Sequence, residues 1–320
     1  MSRRKIYPSL LKEIMSLTGR NVVEKISFDQ AVENFLDYCV IKGLSEWTIK
    51  SYAKELKQIR LSLVDSDADL TDIKKLTTEY FEKFIVNQVN IGRNRNTINA
   101  RIRAAKTFFN FCVKKKYIRK NPVDPIERLK VRHVVGDTFT KQQVAKLLKA
   151  PDITRFTGLR DYTILLTFLH TGIRLSELAA IQIQDVILTD KSLNIQRAKN
   201  GFGRRIPLTK QLCDVLNAYM KVRGHVAKTN ALFITENETP ISIRQIQYHL
   251  REYGIKTGIS DQVQVSPHTF RRTFAKNKIQ AGVDVFTVQA LMGHSDLSIL
   301  KKYVSIYSKD LDGAIERGID

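Results

Sequence analysis

The sequence has little cysteine, and its cysteines form no pattern. The three present, Cys39, Cys112 and Cys213, each stand alone among apolar residues. There is no CxxC motif and no Cys/His pair at the spacing that zinc sites use. We therefore expect neither disulfide bonds nor a metal site, and we expect the three thiols to lie in or beside the core.

Long apolar runs are also missing. The best one, Tyr162 to Leu169, is too short to cross a bilayer, and the basic N-terminus lacks an apolar core of signal-peptide length. These features argue against a membrane or exported protein. We expect a cytoplasmic protein in a reducing compartment that contains nucleic acid.

Acidic residues are scarce relative to basic ones. The chain of 320 residues carries 53 Lys and Arg against 32 Asp and Glu, so its formal charge is +21. Such an excess is typical of proteins that bind a polyanion, most often nucleic acid, although a ribosome-associated or merely basic protein would share it. The length allows two domains with separate cores, and frequent aromatic and branched residues exclude global disorder.

The first domain is predicted over about 25–117, and no part of it alternates as a strand would. A capping-box pattern at Ser27 begins a helix that ends at Gly43. Ser45 begins a second helix, a third covers 78–90, and a fourth follows a Gly-Arg-Asn turn. The pattern is typical of a small helical bundle. The side chains predicted to point inward from the second helix are Trp47, Tyr52, Leu56 and Ile59.

Basic residues collect on this domain and after it. The fourth helix is predicted to display five cations, as either a solvated or a phosphate-binding face: Arg93, Arg95, Arg101, Arg103 and Lys106. Residues 118–136 form a basic linker, broken by Pro122 and Pro125, that suits a chain closing around a rod-like polyanion or an ordinary hinge. Residues 1–24 form a basic arm without an assigned role. The candidate DNA contacts are Arg95, Arg103, Lys106 and Lys115, with Arg244 and Gln245 on a later helix.

The second domain, 137–320, begins with helices. A strand-like entry at Asp137 leads to a capped helix, and a strongly apolar helix over Arg160–His170 is expected to be central. After a break at Gly172, Arg174 begins the next helix.

A small sheet follows. Patterns near 186–188, 193–197 and 204–208 predict three antiparallel strands, with Lys199 where the second strand meets its turn. Further helices are predicted from Gln211, over Ser242–Tyr253 and from 267 onward, with a short buried strand at Leu232–Ile234. The fold class is therefore mainly α with a small antiparallel β-sheet.

Six side chains of this domain could together break a phosphodiester without a metal. They are Arg174, Lys199, His268, Arg271, His294 and Tyr303. Two arginines can hold the non-bridging oxygens, and a lysine on a turn can protonate the leaving oxygen. A histidine can accept the proton of a tyrosine nucleophile, whose pKa is ordinarily about 10.

Each residue alone has an ordinary structural explanation. Arg174 could pair with Glu177 three residues on, and a turn lysine can simply face solvent. His294 could cap a helix end, and Tyr303 and Tyr307, at helical spacing, could both be core residues. The evidence for chemistry lies in the conjunction.

In combination these motifs resemble the tyrosine recombinase (phage integrase) family. The match is carried by Thr171-Gly-Ile-Arg-Leu-Ser-Glu-Leu, Lys199 before Asn-Gly-Phe-Gly, His268-Thr-Phe-Arg271, Leu291-Met-Gly-His294, and Tyr303. Tyr303 follows His294 by the nine residues expected of the family's nucleophile, whereas Tyr307 has the wrong offset. The resemblance covers about 25–310 and points to the Xer-like and transposon-integrase branch. Two departures are Asn200, where glycine is common, and Val304-Ser-Ile, where Thr-His-Val is frequent.

The resemblance implies a fold and a mechanism. The fold is an N-terminal helical bundle of the core-binding, SAM-like type, followed by an α+β catalytic domain. Tyr303 would attack the scissile phosphate to form a 3′-phosphotyrosyl link, and Lys199 would protonate the leaving 5′-hydroxyl. Arg174, Arg271 and His294 would brace the phosphate, and His268 would assist the tyrosine proton. Because the ester conserves the bond energy, no cofactor, metal or nucleotide is required.

The resemblance also implies partners. The expected substrate is double-stranded DNA with an inverted-repeat recombination site, bound by a homotetramer on two duplexes. Residues 309–320 are the candidate for a C-terminal segment exchanged between neighbours. The expected activity is site-specific DNA recombination or integration, serving integration, excision or resolution, in the cytoplasm at the nucleoid. The motifs do not encode the target sequence.

Three other functions are compatible with part of this pattern. A type IB topoisomerase would use nearly the same catalytic set without a defined site, but the small helical first domain favours a recombinase. A non-catalytic DNA-binding regulator would be expected to lack catalytic positions, and all six are present. A ribosomal or structural protein would explain the charge but not the motifs.

Overall fold

The structure is a computed structural model that describes residues 25–131, 136–196, 203–224 and 229–293. Its contacts divide the chain between residues 133 and 134 into two compact units. The described residues form eleven α-helices and one three-stranded antiparallel sheet. The predicted fold class, mainly α with a small antiparallel sheet, is confirmed.

The first unit is a helical bundle. Its helices are α1 Phe28–Ile41, α2 Glu46–Asp65, α3 Thr78–Asn90 and α4 Arg95–Lys114, with a 3-10 turn at Ile73–Lys75. The Ser27 hydroxyl accepts from the Gln30 N–H at 3.1 Å, and Ser45 accepts from the Thr48 N–H at 3.3 Å. The serine caps predicted from sequence are therefore confirmed. The reciprocal half of the first capping box does not form, because the Gln30 amide turns to Glu33 instead.

An aromatic cluster fills the centre of the bundle. Phe108 contacts Phe28, Phe35 and Phe109 edge to face, with ring centroids 4.8 to 5.7 Å apart. Such edge contacts stabilise a core beyond the burial of apolar area alone. Cys39 and Cys112 are buried in the same core, and Cys213 is buried in the second unit, as predicted.

Two side chains of this unit differ from the sequence prediction. Trp47 is 76% exposed instead of buried, because it lies about half a helical turn away from the stripe formed by Leu56 and Ile59. Arg101 is buried instead of displayed. It falls on the apolar stripe of α4, where its guanidinium pairs with Glu55 at 3.3 Å and donates to the Gln88 side chain.

The segment after α4 packs on the bundle. Ile118, Val123 and Ile126 are buried in the core of the first unit. Asn121 donates to the Asn110 side chain at 2.8 Å and accepts from the Val123 N–H at 2.8 Å. The prolines do break the helix here, and residues 118–126, predicted as the start of the linker, are folded onto the bundle.

The second unit surrounds a buried helix with shorter elements. Its helices are α5 Lys141–Lys149, α6 Phe156–Thr171, α7 Leu175–Ala179, α8 Lys210–Arg223, α9 Ile243–Lys256, α10 Pro267–Gln280 and α11 Val285–Met292, with a 3-10 turn at Ile183–Asp185. The sheet has strand order β1 Val186–Ile187, β2 Ser192–Ile195, β3 Arg204–Pro207, with Leu193 opposite Val186 and Ile206. Helix α6 is mostly buried along its length, which confirms its predicted central position.

Two local predictions were wrong in this unit. Asp137–Phe139 forms no strand, although Thr140 caps α5 in a full capping box. Leu232–Ile234 is buried as expected but forms no strand: Ile234 makes an isolated bridge with Pro240, and the preceding Ala231 makes one with Gln182. A run this short has too few ladder hydrogen bonds to make a strand.

Candidate active site

The first arginine of the site is placed by a sharp break between two helices. Helix α6 ends at Gly172 in the left-handed conformation, with φ of 59°. A Cβ on Gly172 would also lie 2.4 Å from Cδ1 of Phe274 on α10. Glycine is therefore required twice here, by the backbone angle and by the close approach of the ring. The break directs the chain so that Arg174 becomes the N-cap residue of α7.

Glu177 fixes the position of Arg174. Its carboxylate accepts from the Arg174 N–H at 3.0 Å and from the Arg174 guanidinium at 2.8 Å. The remaining side of that guanidinium donates to the backbone carbonyl of Gly293. The pairing with Glu177 that we considered as the structural explanation of Arg174 is thus present. It orients the guanidinium and does not use all of its N–H donors.

The second arginine approaches the same place from another helix. Arg271, on α10, is 7% exposed and donates to the Met292 carbonyl at 2.7 Å and to the Gly172 carbonyl. Met292 and Gly293 are adjacent residues at the end of α11. The guanidinium groups of Arg174 and Arg271 therefore converge on one helix end, where the partial negative charge of the last carbonyls attracts cations.

His268 lies one helical turn before Arg271. Ser266 caps α10 and Pro267 occupies its first turn, and the His268 side chain beside them is partly exposed. Partial burial lowers the pKa of the imidazole, and the charges of Arg272 and Arg271 lower it further. The ring is therefore held neutral at pH 7, which is the form that can accept a proton.

A third guanidinium, which the sequence did not indicate, completes this cluster. Arg204 on β3 donates to both carboxylate oxygens of Glu177, at 2.9 and 2.8 Å, and to the Leu291 carbonyl at 3.1 Å. Strand alternation places it on the same side as the buried Ile206, with Arg205 on the opposite side. The alternation of β3 and the acid Glu177 within the arginine motif were the available signals, but neither predicts that Arg204 and Glu177 meet.

Three of the six predicted catalytic residues lie outside the described residues: Lys199, His294 and Tyr303. Two of them lie close in sequence to elements that the structure describes. Lys199 falls between β2 and β3, and His294 follows Gly293. Of the predicted set, the structure brings together Arg174, His268 and Arg271.

The candidate DNA contacts of the first unit are all basic side chains that reach the solvent. Arg95, Arg103 and Lys115 are exposed, and Lys106 is half-buried. Arg95 donates to the Lys130 carbonyl at 2.9 Å, and Lys106 donates to the Asp124 carbonyl at 3.2 Å. In these contacts a cation meets a neutral carbonyl, so each keeps its charge for an external anion.

Arg244 and Gln245, the candidate contacts of the second unit, are exposed in the first turn of α9. The Gln245 side-chain oxygen accepts from the Ser242 N–H at 2.9 Å, while the Ser242 hydroxyl caps the Gln245 N–H. Gln245 therefore closes a capping box, and its amide NH₂ is the part left for another partner.

In the described ranges, no group of three or more His, Cys, Asp or Glu side chains is placed to hold a metal ion. Within those same ranges, no helix is long and apolar enough to cross a membrane.

Comparison with known proteins places this arrangement in a family. Residues 137–309 match the phage integrase family, and residues 32–116 match the phage integrase N-terminal SAM-like domain. Tyrosine recombinase XerD of Staphylococcus haemolyticus (strain JCSC1435) is 30% identical over 280 residues, which cover 86% of this chain and 93% of the relative. A tyrosine recombinase of Pseudothermotoga lettingae is 28% identical over 290 residues, covering 90% of this chain and 98% of the relative.

Two solved structures share the fold. The Tn1549 transposon integrase in complex with transposon right end DNA has a TM-score of 0.73 at 18% identity, covering 91% of this chain and 98% of that one. A lambda integrase dimer bound to a COC′ core site has a TM-score of 0.72 at 16% identity, covering 93% and 81%.

The matched residues define a tyrosine recombinase, the class of enzyme that cleaves and rejoins DNA in site-specific recombination. The chain belongs to the phage integrase family.

Proposed function

We propose that this recombinase cuts and rejoins DNA through a 3′-phosphotyrosyl intermediate, with Arg174 and Arg271 holding the scissile phosphate. The observation that carries the proposal is the convergence of these two guanidiniums at the end of α11, from separate helices α7 and α10. A phosphodiester presents two non-bridging oxygens, and two arginines can satisfy both with charge-assisted hydrogen bonds.

The chemical step needs one bond formed and one broken. The Tyr303 phenolic oxygen bonds to phosphorus, and the bond from phosphorus to the 5′-oxygen breaks. His268, held neutral, accepts the phenolic proton, while Lys199 donates a proton to the departing 5′-oxygen. His294, next to Gly293, donates to a non-bridging oxygen. A 5′-hydroxyl from the partner strand reverses the step and releases the tyrosine, so no other energy source enters.

The arginines supply the largest electrostatic contribution. Negative charge develops on the phosphorane oxygens, and donors already fixed around it need no reorganisation as the reaction proceeds. Removal of one such donor costs about 3–4 kcal/mol of transition-state stabilisation. Arg271 is nearly buried, and its hydrogen bonds to the Gly172 and Met292 carbonyls pre-orient it.

The charge of the whole chain supports a duplex DNA partner. A formal charge of +21 provides the long-range attraction to phosphate, and we propose that Arg95, Arg103, Lys106, Lys115, Arg244 and Gln245 contact the DNA. We assign the helical domain, about 25–117, to DNA binding and residues 137–320 to the catalytic domain, with 118–136 as the linker between them. Residues 1–24, which lie outside the described residues, are proposed to be a basic arm.

We further propose that the active assembly is a homotetramer on two duplexes that carry inverted-repeat sites, at the nucleoid in the cytoplasm. A solved structure of lambda integrase is a tetramer bound to a Holliday junction, and its fold matches this chain with a TM-score of 0.70. Residues 309–320, which lie outside the described residues, are the segment proposed to pass to a neighbouring subunit.

The proposal is tested with a suicide substrate. The protein first selects its site from a library of random duplexes, and the selected duplex is then nicked beside the cleavage position so that cleavage cannot be reversed. Wild type should give a covalent protein–DNA band on a denaturing gel. Tyr303→Phe should give none, and the matched control Tyr307→Phe should behave as wild type. An adduct with Tyr303→Phe but not with Tyr307→Phe would show that the nucleophile is misassigned.

A further inference from the structure

Arg204 links three elements of the site through one side chain. It extends from β3, donates through two nitrogens to Glu177 on α7, and donates through Nε to the Leu291 carbonyl near the end of α11. Its side chain is 12% exposed. A guanidinium with several donors in a rigid plane can hold a carboxylate and a carbonyl together, which a single ammonium cannot do in the same geometry.

Glu177 is shared between two arginines. Arg204 engages both carboxylate oxygens, and Arg174 engages one of them at 2.8 Å. Burial alone would raise the pKa of Glu177, but the hydrogen bonds from Arg204 and Arg174 outweigh it and hold the pKa below its ordinary value. The carboxylate therefore stays ionised, and its single negative charge leaves Arg174 with net positive charge toward solvent.

Arg204 also contacts the residue that precedes His294. A Cβ on Gly293 would lie 2.7 Å from one terminal nitrogen of Arg204. Gly293 ends α11 in the left-handed conformation, with φ of 63°. Arg204 thus packs directly against the backbone whose carbonyl accepts from Arg174.

We propose that Arg204 is a positioning residue for cleavage, acting through Glu177 to hold Arg174 in line with Arg271 and through Leu291 to fix the end of α11. It does not itself touch the phosphate. This inference rests on the proposed function, since it assumes that Arg174 holds the scissile phosphate.

The neighbouring arginine is a matched control. Arg205 lies on the other side of β3, is exposed, and donates to the Asp190 carbonyl at 3.0 Å. Replacing it removes the same charge from the same strand without touching Glu177 or α11. A general effect of charge on DNA binding would therefore appear equally in Arg204→Ala and Arg205→Ala.

The test measures the single-turnover rate of covalent adduct formation at saturating concentrations of the selected nicked duplex, beside the affinity for the same duplex. We expect Arg204→Ala to slow adduct formation about a hundredfold, which is the effect of a misplacement of about 1 Å. Its affinity for the duplex should lie within about twofold of that of Arg205→Ala, because the residues that contact phosphate are unchanged in both variants. Arg204→Lys keeps the charge and should fold, but should still be slowed, because it cannot span both partners.

A double variant separates positioning from simple structural support. If Arg204 acts largely through Arg174, its removal from an Arg174→Ala background should slow the reaction about tenfold or less, because interacting residues are not additive. Equal slowing in both backgrounds, wild-type rates for Arg204→Ala or Arg204→Lys, or equal losses for Arg204→Ala and Arg205→Ala would each overturn the inference while leaving the proposed function intact. Absence of any wild-type adduct would overturn both.

Discussion

Glu177 makes a demanding prediction, because two guanidiniums depend on one carboxylate. Its side chain is 4% exposed and accepts four hydrogen bonds, one from the Arg174 N–H and three from the guanidiniums of Arg174 and Arg204. Glu177→Gln removes the charge and turns one acceptor into a donor that faces other donors. We expect the substitution to lower the free energy of unfolding of the second unit strongly without changing its fold.

The expected magnitude follows from the burial of the partners. Breaking a buried ion pair by removing one partner costs about 3–5 kcal/mol, because the remaining charge stays buried and uncompensated. Arg204 is nearly buried, but the Arg174 side chain is 30% exposed and is partly screened by water. We therefore expect a loss near the lower end, about 3 kcal/mol in the free energy of unfolding.

The assay is urea denaturation followed by circular dichroism, with hydrogen exchange to assign the loss to residues 136–293. The matched control is Glu79→Gln, which removes a carboxylate 2.9 Å from Lys83 on an exposed helix face, and which should leave stability unchanged. The pKa of Glu177 is lowered, so its contribution is present above its ordinary pKa and lost as pH falls through the folded value. The difference between wild type and Glu177→Gln should accordingly shrink in acid. A loss below about 0.5 kcal/mol at pH 7, the range of ordinary surface changes, would refute the reasoning.

Three further predictions concern the same site and its surroundings. Gly172→Ala should lower the free energy of unfolding by about 2–4 kcal/mol, because strain at a positive φ adds to overpacking against Phe274; an unchanged melting temperature would contradict it. Since the pKa of His268 is lowered from its ordinary 6.5, the rate of adduct formation should fall on the acid side only below pH 6.5, and His268→Gln should remove that limb; a wild-type limb above pH 6.5 would contradict the assignment. Trp47→Ala should leave urea denaturation unchanged, because the side chain is 76% exposed, whereas a marked loss would show that the indole is packed.

Local patterns were predictable from the sequence because their physics is local. Ser27, Ser45 and Thr140 cap helices through contacts within three residues, and the structure has those hydrogen bonds. The sheet was also predictable, since period-two patterns separated by turn residues specify adjacent strands. The family was identified from motifs whose spacing is a property of sequence alone.

The predictions of burial were wrong where they were made from the type of residue alone. In those cases the position of the residue around its helix, or a contact distant in sequence, decides whether the side chain is buried. Arg101 was grouped with cations, although its position on α4 falls within the apolar stripe and Glu55 offers it a partner. Ile118 and Val123 were placed in a connector because prolines and lysines surround them, yet both are buried. Arg204 could not be found from its own neighbourhood, because its partners, Glu177 and Leu291, are distant in sequence.

The central claim is that Tyr303 becomes covalently joined to DNA at a phosphate held by the arginine pair. The most direct test is to trap the adduct on the nicked duplex, digest the protein and the DNA, and identify the modified peptide by mass spectrometry. The account predicts a peptide in which Tyr303 carries a 3′-linked nucleotide, together with a free 5′-hydroxyl on the released strand. A nucleotide on Tyr307 or any other residue, or a 5′-phosphate linkage, would contradict it.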